Sequence, residues 1–386
     1  MSAAAPRFSV LMPTHNRPEV LGVAIQSVLA QTEPDFELLV VCDGCTEETG
    51  RLLAGFSDPR IRVFDLPKAP HFGYANRNIG LRAARGRLIA FAAHDNLLLP
   101  DHLARLGALV EQDGAPWACS RPLWVSTDGV ILPFAVNLAL PDEMRAFQER
   151  GNSIPATCVV HTRALLEEAG FWPEAAPSMG DWILWRRMLA ASAGRFAQLR
   201  EPTCLHFSAD WRKSRHAQRE EVRVLLEVAD TAPWWPAILR HPPADEPEQV
   251  TLWRAMKAGG PDWVAALRAA VATVLDRLAW EGVCTWQPRI ASLEAKLAEA
   301  HEAAARHRDA EALLAQALAA REAAAQADAA ALAAARGAAD EARAEKAGLQ
   351  GALAAAQLEA ALLRRSTSWR VTAPLRAVAR RLGRGA

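Results

Sequence analysis

The residues able to do chemistry in this chain stand in short polar runs that interrupt apolar ones. Pro13-Thr14-His15-Asn16-Arg17 follows the apolar run Phe8–Met12, Cys42-Asp43-Gly44-Cys45 follows Phe36–Val41, and Ala93-His94-Asp95-Asn96 follows Leu88–Ala92. The segment GYANRNIG, Gly73–Gly80, adds Arg77 and Asn78; further on stand Asp181, in Met179-Gly180-Asp181-Trp182, and His206, in LHFSADWR. A carboxylate accepts from ring and amide N–H groups, ligates hard divalent cations and, where burial lifts its pKa, serves as a general base. A guanidinium pairs with phosphate, and a neutral imidazole suits a transition metal. Each position has an ordinary reading beside these: Asp43-Gly44 as a turn, Asp181 as a helix N-cap, Arg77 as a helix-surface charge, His206 as a structural histidine. Cys42 and Cys45 form a C-x-x-C, but a zinc site needs a second ligand pair and none is near in sequence. Two small residues in a tight turn is the simpler reading than a thioredoxin-like redox pair.

The elements that must hold these runs alternate in type. Phe8–Met12, Phe36–Val41, Ile61–Phe64 and Leu88–Ala92 read as buried strands. Between and after them, Pro18 opens a helix with Leu21, Ile25, Val28 and Leu29 on one face, a second helix covers Tyr74–Arg85 and stops at Gly86, and a third runs from Pro100 to about Gln112. Strands alternating with helices predict a mainly parallel sheet with helices on both faces. Ligands of such sheets bind beyond the carboxyl ends of the strands, which is where Thr14–Arg17, Asp43 and His94–Asn96 fall. From Trp117 to Phe207 the pattern is mixed, with a hairpin turn at Asp128-Gly129 and a helix over Asp181–Leu189.

The rest of the chain is helical in character. Residues 216–285 form a helical region broken around His241–Pro247, and from Ile290 to Leu363 about half the residues are Ala, with no Pro. Alanine is the best helix former, so this stretch is one long helix or a helical hairpin, either a spacer or a weakly dimerising coil. Arg364–Ala386 carries about seven arginines and no acid, with Trp369, Leu375, Val378 and Leu382 able to share a helical face. That is the composition of a segment drawn to an anionic membrane surface, or of a solvated basic tail.

The 386 residues carry 44 basic and 44 acidic side chains. A net charge of zero argues against a generally basic nucleic-acid binder, although the basic tail shows that the total hides an uneven distribution. The N-terminus lacks the basic start and apolar stretch of a signal peptide, no run of about 18 apolar residues predicts a spanning helix, and six scattered cysteines suit a reducing compartment. The expected location is the cytoplasm, with peripheral attachment to the inner face of the plasma membrane through Arg364–Ala386.

The order and spacing of the four motifs, THNR, VVCDG, ANRN and AFAAHDN, resemble those of the family 2 glycosyltransferases, inverting nucleotide-sugar enzymes of the GT-A fold. The resemblance covers about residues 7–212. It implies an α/β GT-A domain over residues 1–212, with a nucleotide-sugar half at 7–115 and an acceptor half at 116–212. Beyond it would lie a helical extension at 213–285, the Ala-rich long helix or coiled coil at 286–363 and the basic tail at 364–386. By resemblance Pro13, Thr14, Asn16, Asp43, Arg77, Asn78 and His94 line the nucleotide-sugar pocket, with Asp43 on the base and Arg77 on phosphate. Asp95 is the retained acid of the family's Asp-x-Asp metal motif and His206 the late histidine of the metal shell, with Mn2+ or Mg2+ bridging the diphosphate. Asp181 is the general base.

Two departures stand out. The first acid of the metal motif is Ala93, which puts metal dependence in question, and the acid before Asp181 is Gly180. Trp182, Trp185 and Trp211 are of the type that stacks on sugar faces, although on a helical stripe core packing competes with that role. The implied reaction moves a sugar from a nucleotide-diphosphate donor to a hydroxyl of a glycan or lipid-linked acceptor, as in cell-surface polysaccharide synthesis. The departures leave a degenerate binding or scaffold protein as the rival. A nucleotidyltransferase would need a Gly-rich phosphate loop ending in Lys near the first strand, which THNRPEV lacks.

Overall fold

In a computed structural model of the chain the described residues are 5–112, 114–126, 129–207, 220–241, 245–324 and 329–365. They form two compact units, Met1–Leu275 and Asp276–Ala386. The first opens with β1 (Phe8–Thr14), α1 (Pro18–Leu29), β2 (Phe36–Asp43), α2 (Glu47–Ala54), β3 (Ile61–Leu66), α3 (Tyr74–Arg82) and β4 (Leu88–Phe91). Then come β5 (Leu97–Leu98), α4 (His102–Gln112), β6 (Trp117–Val125), β7 (Ile131–Pro133), α5 (Pro141–Glu149), β8 (Val159–Thr162), α6 (Arg163–Ala169), α7 (Gly180–Ala191) and β9 (Ala197–Phe207).

The apolar runs become central strands because both of their faces are covered: every residue of β2 and all but Pro13 of β1 are buried. On α1, Pro18 starts the helix, and Val20, Leu21, Ala24, Ile25 and Val28 bury one face. Among the described residues the sheet order is β3-β2-β1-β4-β8-β6-β9-β5, with β7 paired to β6. The strands β3, β2, β1 and β4 are parallel, β8 joins β4 and β6 antiparallel, and β9 runs parallel to β6 but antiparallel to β5. The sheet is thus mixed rather than mainly parallel. Parallel neighbours need a crossover helix, and that strict alternation ends after β4. Strand order reverses at β1, flanked by β2 on one side and β4 on the other, which makes a topological switch point between the ends of β1 and β4.

After β9 the first unit continues with α8 (Glu220–Thr231) and α9 (Glu248–Glu281), the latter broken at Gly260 (φ 55°) ahead of Pro261. Both sides of the break in α9 are fastened to the sheet domain by polar contacts. Gln249 Nε2 donates to the Asp95 carbonyl (3.3 Å), Trp253 Nε1 to Gln26 Oε1 (2.8 Å), and Arg268 makes a two-pronged pair with Asp101 (2.7 and 2.8 Å).

In the second unit the Ala-rich segment folds as two helices, α10 (Gln287–Ala324) and α11 (Ala329–Arg365). They pair with each other through buried Ile290, Ala304, Ala339 and Ala360 and through the ion pairs Arg289–Glu359, Glu294–Arg364 and Glu311–Lys346. The small-residue face therefore packs within the chain. Among the described residues no helix is long and apolar enough to cross a membrane. Trp211, Asp128 and the tail from residue 366 lie outside the described residues; Gly129 (φ 74°) sits at the β6–β7 hairpin expected there.

Candidate active site

Three strand ends meet at the switch point. Thr14 closes β1, Asp43 closes β2, and residues 93–96 follow β4. Asn16, held at φ 49°, turns the chain after β1, and its Oδ1 accepts from Thr46 N (2.6 Å) at the head of α2. His15 Nδ1 lies 2.8 Å from the Asp43 carbonyl and Cys45 Sγ 3.5 Å from the Thr14 carbonyl, so the first two loops are stitched together. Thr14 is buried, with Oγ1 lacking a hydrogen-bond partner among the described residues. Pro13 sits beside it, paired in register with Val41.

Asp43 is held by three donors: Ala69 N–H (2.7 Å) and Asn76 Nδ2 (2.7 Å) on Oδ1, and Lys68 Nζ (2.6 Å) on Oδ2. Burial alone would raise its pKa, but the Ala69 N–H, Lys68 and Asn76 outweigh it and keep the carboxyl below the usual range. Gly73 lies against this carboxylate at φ 69°; a Cβ there would come 2.4 Å from Asp43 Oδ2. A carboxylate has about four lone-pair directions, so one remains for an incoming N–H group.

Arg77 is the unpaired cation of the site. Its guanidinium makes no ion pair or hydrogen bond among the described residues, and its Nε is buried without a partner. It lies instead over two aromatic faces, 4.9 Å from the Trp172 centroid and 5.3 Å from that of Tyr74. Those rings stack on one another at 5.5 Å and 10°. Burial pushes the Arg77 pKa down, while Tyr74, Asp181 and Asp43 act the other way. Asn78, the next polar residue of the motif, has both amide hydrogens engaged elsewhere. Its Nδ2 donates to the Trp172 carbonyl (2.9 Å) and Glu174 Oε1 (2.8 Å), and its Oδ1 accepts from Trp172 N (3.0 Å). In this arrangement Asn78 positions the tryptophan on which Arg77 rests.

Asp181 stands in the first turn of α7. Its Oδ1 accepts from Trp182 N (2.8 Å) and its Oδ2 from Asn152 Nδ2 (2.8 Å). Burial raises its pKa above the usual carboxylate range; the Trp182 N–H, Arg77 and Asn152 offset only part of that. The residue before it, Gly180, is pressed against Tyr74. The Gly180 N–H donates to Tyr74 Oη (2.9 Å), and a Cβ on Gly180 would meet the ring at 2.4 Å. The position has no room for a side chain, which accounts for glycine in place of an acid. Trp185, on the same helix, is fully buried, and Trp182 donates to the Phe147 carbonyl (2.6 Å) under Arg186. Core packing has absorbed Trp185, whereas Trp182 is half-buried.

The loop after β4 holds His94 and Asp95. Their side chains approach to 3.8 Å. Burial lowers the His94 pKa, Asp95 opposes this, and Arg17 and Arg77 add to it. The Asp95 carboxylate accepts no hydrogen bond among the described residues and is partly exposed, as suits an oxygen donor to a hard cation. His206 is different. The Asn96 amide is oriented by Phe207 N–H on its Oδ1 (3.1 Å), so its Nδ2 donates to Thr157 Oγ1 (2.8 Å) and to His206 Nδ1 (3.0 Å). That makes Nδ1 the acceptor of the Asn96 amide. Among the described residues no three His, Cys, Asp or Glu side chains cluster to hold a metal by themselves. The set fits Mg2+ or Mn2+ only in the mode where one carboxylate and substrate phosphates share the shell.

In the C-x-x-C, burial, with Cys45 and Asp65 adding to it, pushes the Cys42 thiol up to about 12, which disfavours the thiolate that redox chemistry uses. The residues that sequence reading missed are Tyr74, Asn76, Asn152 and Trp172, none of which carries a motif of its own. The one available hint was that Tyr74 is the single tyrosine of the chain.

Residues 9–163 match the family profile described as Glycosyl transferase family 2. Over 124 residues the chain is 36% identical to the succinoglycan biosynthesis protein ExoO of Rhizobium meliloti, covering 32% of this chain and 35% of that one. Over 95 residues it is 36% identical to the UDP-Glc:alpha-D-GlcNAc-diphosphoundecaprenol beta-1,3-glucosyltransferase WfgD of Escherichia coli, covering 25% of this chain and 37% of the relative. The chain thus spans about a third of the length of these curated relatives. Among solved structures, S. aureus TarS 1-349 in complex with UDP-GlcNAc aligns with a TM-score of 0.43 at 18% identity, over 56% of this chain and 63% of that one.

Proposed function

We propose, for a chain whose segment 9–163 belongs to glycosyl transferase family 2, an inverting transfer from a nucleotide-diphosphate sugar to a hydroxyl of a glycan or lipid-linked acceptor. One observation carries the reading. Asp181, a carboxylate with its pKa raised by burial, shares its electrostatic environment with Arg77, half-buried, whose guanidinium has no hydrogen-bonding or ionic partner among the described residues. A base and an oxyanion receptor held together are what displacement of a diphosphate by a hydroxyl requires.

In this reading the acceptor oxygen attacks the anomeric carbon while its proton passes to Asp181. The new C–O bond forms as the bond to the diphosphate oxygen breaks, and the electron pair leaves on that oxygen. A single displacement inverts the anomeric centre. Asn152 and the Trp182 N–H aim the Asp181 carboxylate. Arg77 takes the charge that grows on the diphosphate, and the stacked Tyr74 and Trp172 keep its fork oriented. The free lone pair of Asp43 takes the base, and Thr14, Asn16 and Pro13 wall the pocket. A divalent cation, when bound, neutralises charge on the leaving group; Asp95 is the residue that would hold it, with His94 beside it. The acceptor class is the one named for the Escherichia coli relative.

The test is a panel of nucleotide sugars assayed for turnover with Mn2+ or Mg2+, alongside Asp95→Ala and Asp181→Asn. The reading expects a donor whose turnover needs the cation, loss of turnover in both variants, and nucleotide binding kept in Asp181→Asn. Undiminished turnover in Asp181→Asn would remove the base from the scheme.

A further inference from the structure

Outside this site the first unit holds a second desolvated cation that makes no ion pair among the described residues. Arg121, on β6, is 9% exposed, its Nε is buried with no hydrogen-bond partner, and its guanidinium makes no ion pair among the described residues. Buried charges are ordinarily paired, because desolvation costs several kcal/mol. The surroundings make the gap sharper. Arg200, on β9, is near enough for its charge to disfavour that of Arg121; it is exposed and makes no ion pair among the described residues. Glu143, on α5, is the acid whose field reaches Arg121, and its Oε2 accepts from Asn137 N (2.8 Å). Among the described residues two cations stand here against one acid, a surplus of positive charge, and Arg200 is the exposed member of the pair.

The backbone is irregular at the same residue. Arg121 pairs with Pro202 between two register shifts, one after Ser120 and one before Leu123. Bulges re-aim a side chain and are over-represented beside functional sites.

We propose that Arg121 and Arg200 form an oxyanion site that takes a phosphoryl group. A guanidinium fork binds phosphate through two parallel N–H···O bonds, and a phosphoryl group carries enough charge to offset the surplus on this pair. Both residues lie in the acceptor half of the sheet, so the phosphoryl group is one carried by the acceptor; that assignment rests on the glycosyl-transfer reading, and the site itself does not.

The test is thermal unfolding of the full chain in low-salt buffer with EDTA, titrated with inorganic phosphate. The expected result is a Tm that rises with phosphate in the wild type. The response should weaken by roughly tenfold or more in Arg121→Met, the scale of one charge-assisted pair. It should also weaken in Arg200→Gln, a surface change that leaves the fold intact, and persist in Arg77→Met. In phosphate-free buffer Arg121→Met should unfold no lower than wild type, because it replaces an unpaired buried charge by an apolar chain of similar length. A phosphate response kept in Arg121→Met, or abolished by Arg77→Met alone, overturns the site. Glucuronate acting as strongly as phosphate overturns the phosphoryl assignment. Hexyl phosphate, titrated separately, distinguishes an ester from the free ion: a stronger response than phosphate supports an acceptor group, a weaker one excludes it. None of these readouts needs turnover, so failure of this site and failure of glycosyl transfer are separable.

Discussion

The hydroxyl of Tyr74 accepts a hydrogen bond from the backbone N–H of Gly180 at 2.9 Å, across 106 residues of sequence. The contact joins the first turn of α3 to the first turn of α7. Arg77 lies one turn along the first helix and Asp181 is the next residue on the second. One phenol therefore sets the separation of the phosphate-binding candidate and the candidate base.

Gly180→Ala tests that relationship. A Cβ 2.4 Å from the Tyr74 ring cannot be accommodated in place, and overpacking of this kind costs about 1–3 kcal/mol. Urea unfolding should report that loss, and turnover should fall with it. Gly180→Glu, which restores the acid common at this place in the family, should lower turnover too; a gain would show that the packing argument is wrong.

Arg77→Lys keeps the charge and removes the plane. The guanidinium rests on Trp172 and Tyr74 at 4.9 and 5.3 Å, and an ammonium reproduces neither that stacking nor bidentate phosphate binding. Donor KM should rise roughly tenfold, the scale of one charged hydrogen bond. Trp172→Leu should move KM in the same direction, because it removes the platform and not the charge.

The pH dependence of turnover should carry the mark of Asp181. Only the ionised carboxylate accepts a proton, so kcat falls as pH drops through its pKa, and burial places that limb above the ordinary aspartate value of about 3.9. Asn152→Ala removes a donor that favours the charged form, which raises the pKa further and moves the limb to higher pH. A limb unmoved by this change would detach it from Asp181.

Asp43 titrates in the opposite sense. Its folded pKa lies below the unfolded value, so its contribution to stability is present above about pH 4 and is lost as pH falls through the lower, folded value. Acid unfolding of the wild type should include this loss, and Asp43→Asn should show less dependence on pH over the same window. Asn76→Ala, which removes one of the three donors, should shift the loss toward higher pH.

Much of the fold was readable from local pattern. Apolar runs of strand length specify β1 to β4, amphipathic patterns specify α1 and α3 though not α2, and strand ends are local features, so Thr14, Asp43 and Asp95 could be placed beyond the carboxyl ends of strands without coordinates. Asp181 at a helix start was readable for the same reason. The Ala-rich composition likewise called for helix, and it left open whether the chain would fold back on itself.

What only the tertiary structure decided is everything that depends on partners far apart in the chain. Hydrophobic periodicity says which face of an element is buried, but not what it meets. So it carried no sign that Tyr74 would exclude a side chain at Gly180, that Asn78 would hold Trp172, or that Asn96 would take the lone pair of His206 Nδ1. Nor could it show that Arg121 lies buried between two register shifts with no ion-pair partner among the described residues. The sequence by itself determined which groups are available and at which strand ends they stand. Packing determined their protonation, their hydrogen-bonding direction and their spare valence, because desolvation and orientation are properties of an assembled environment.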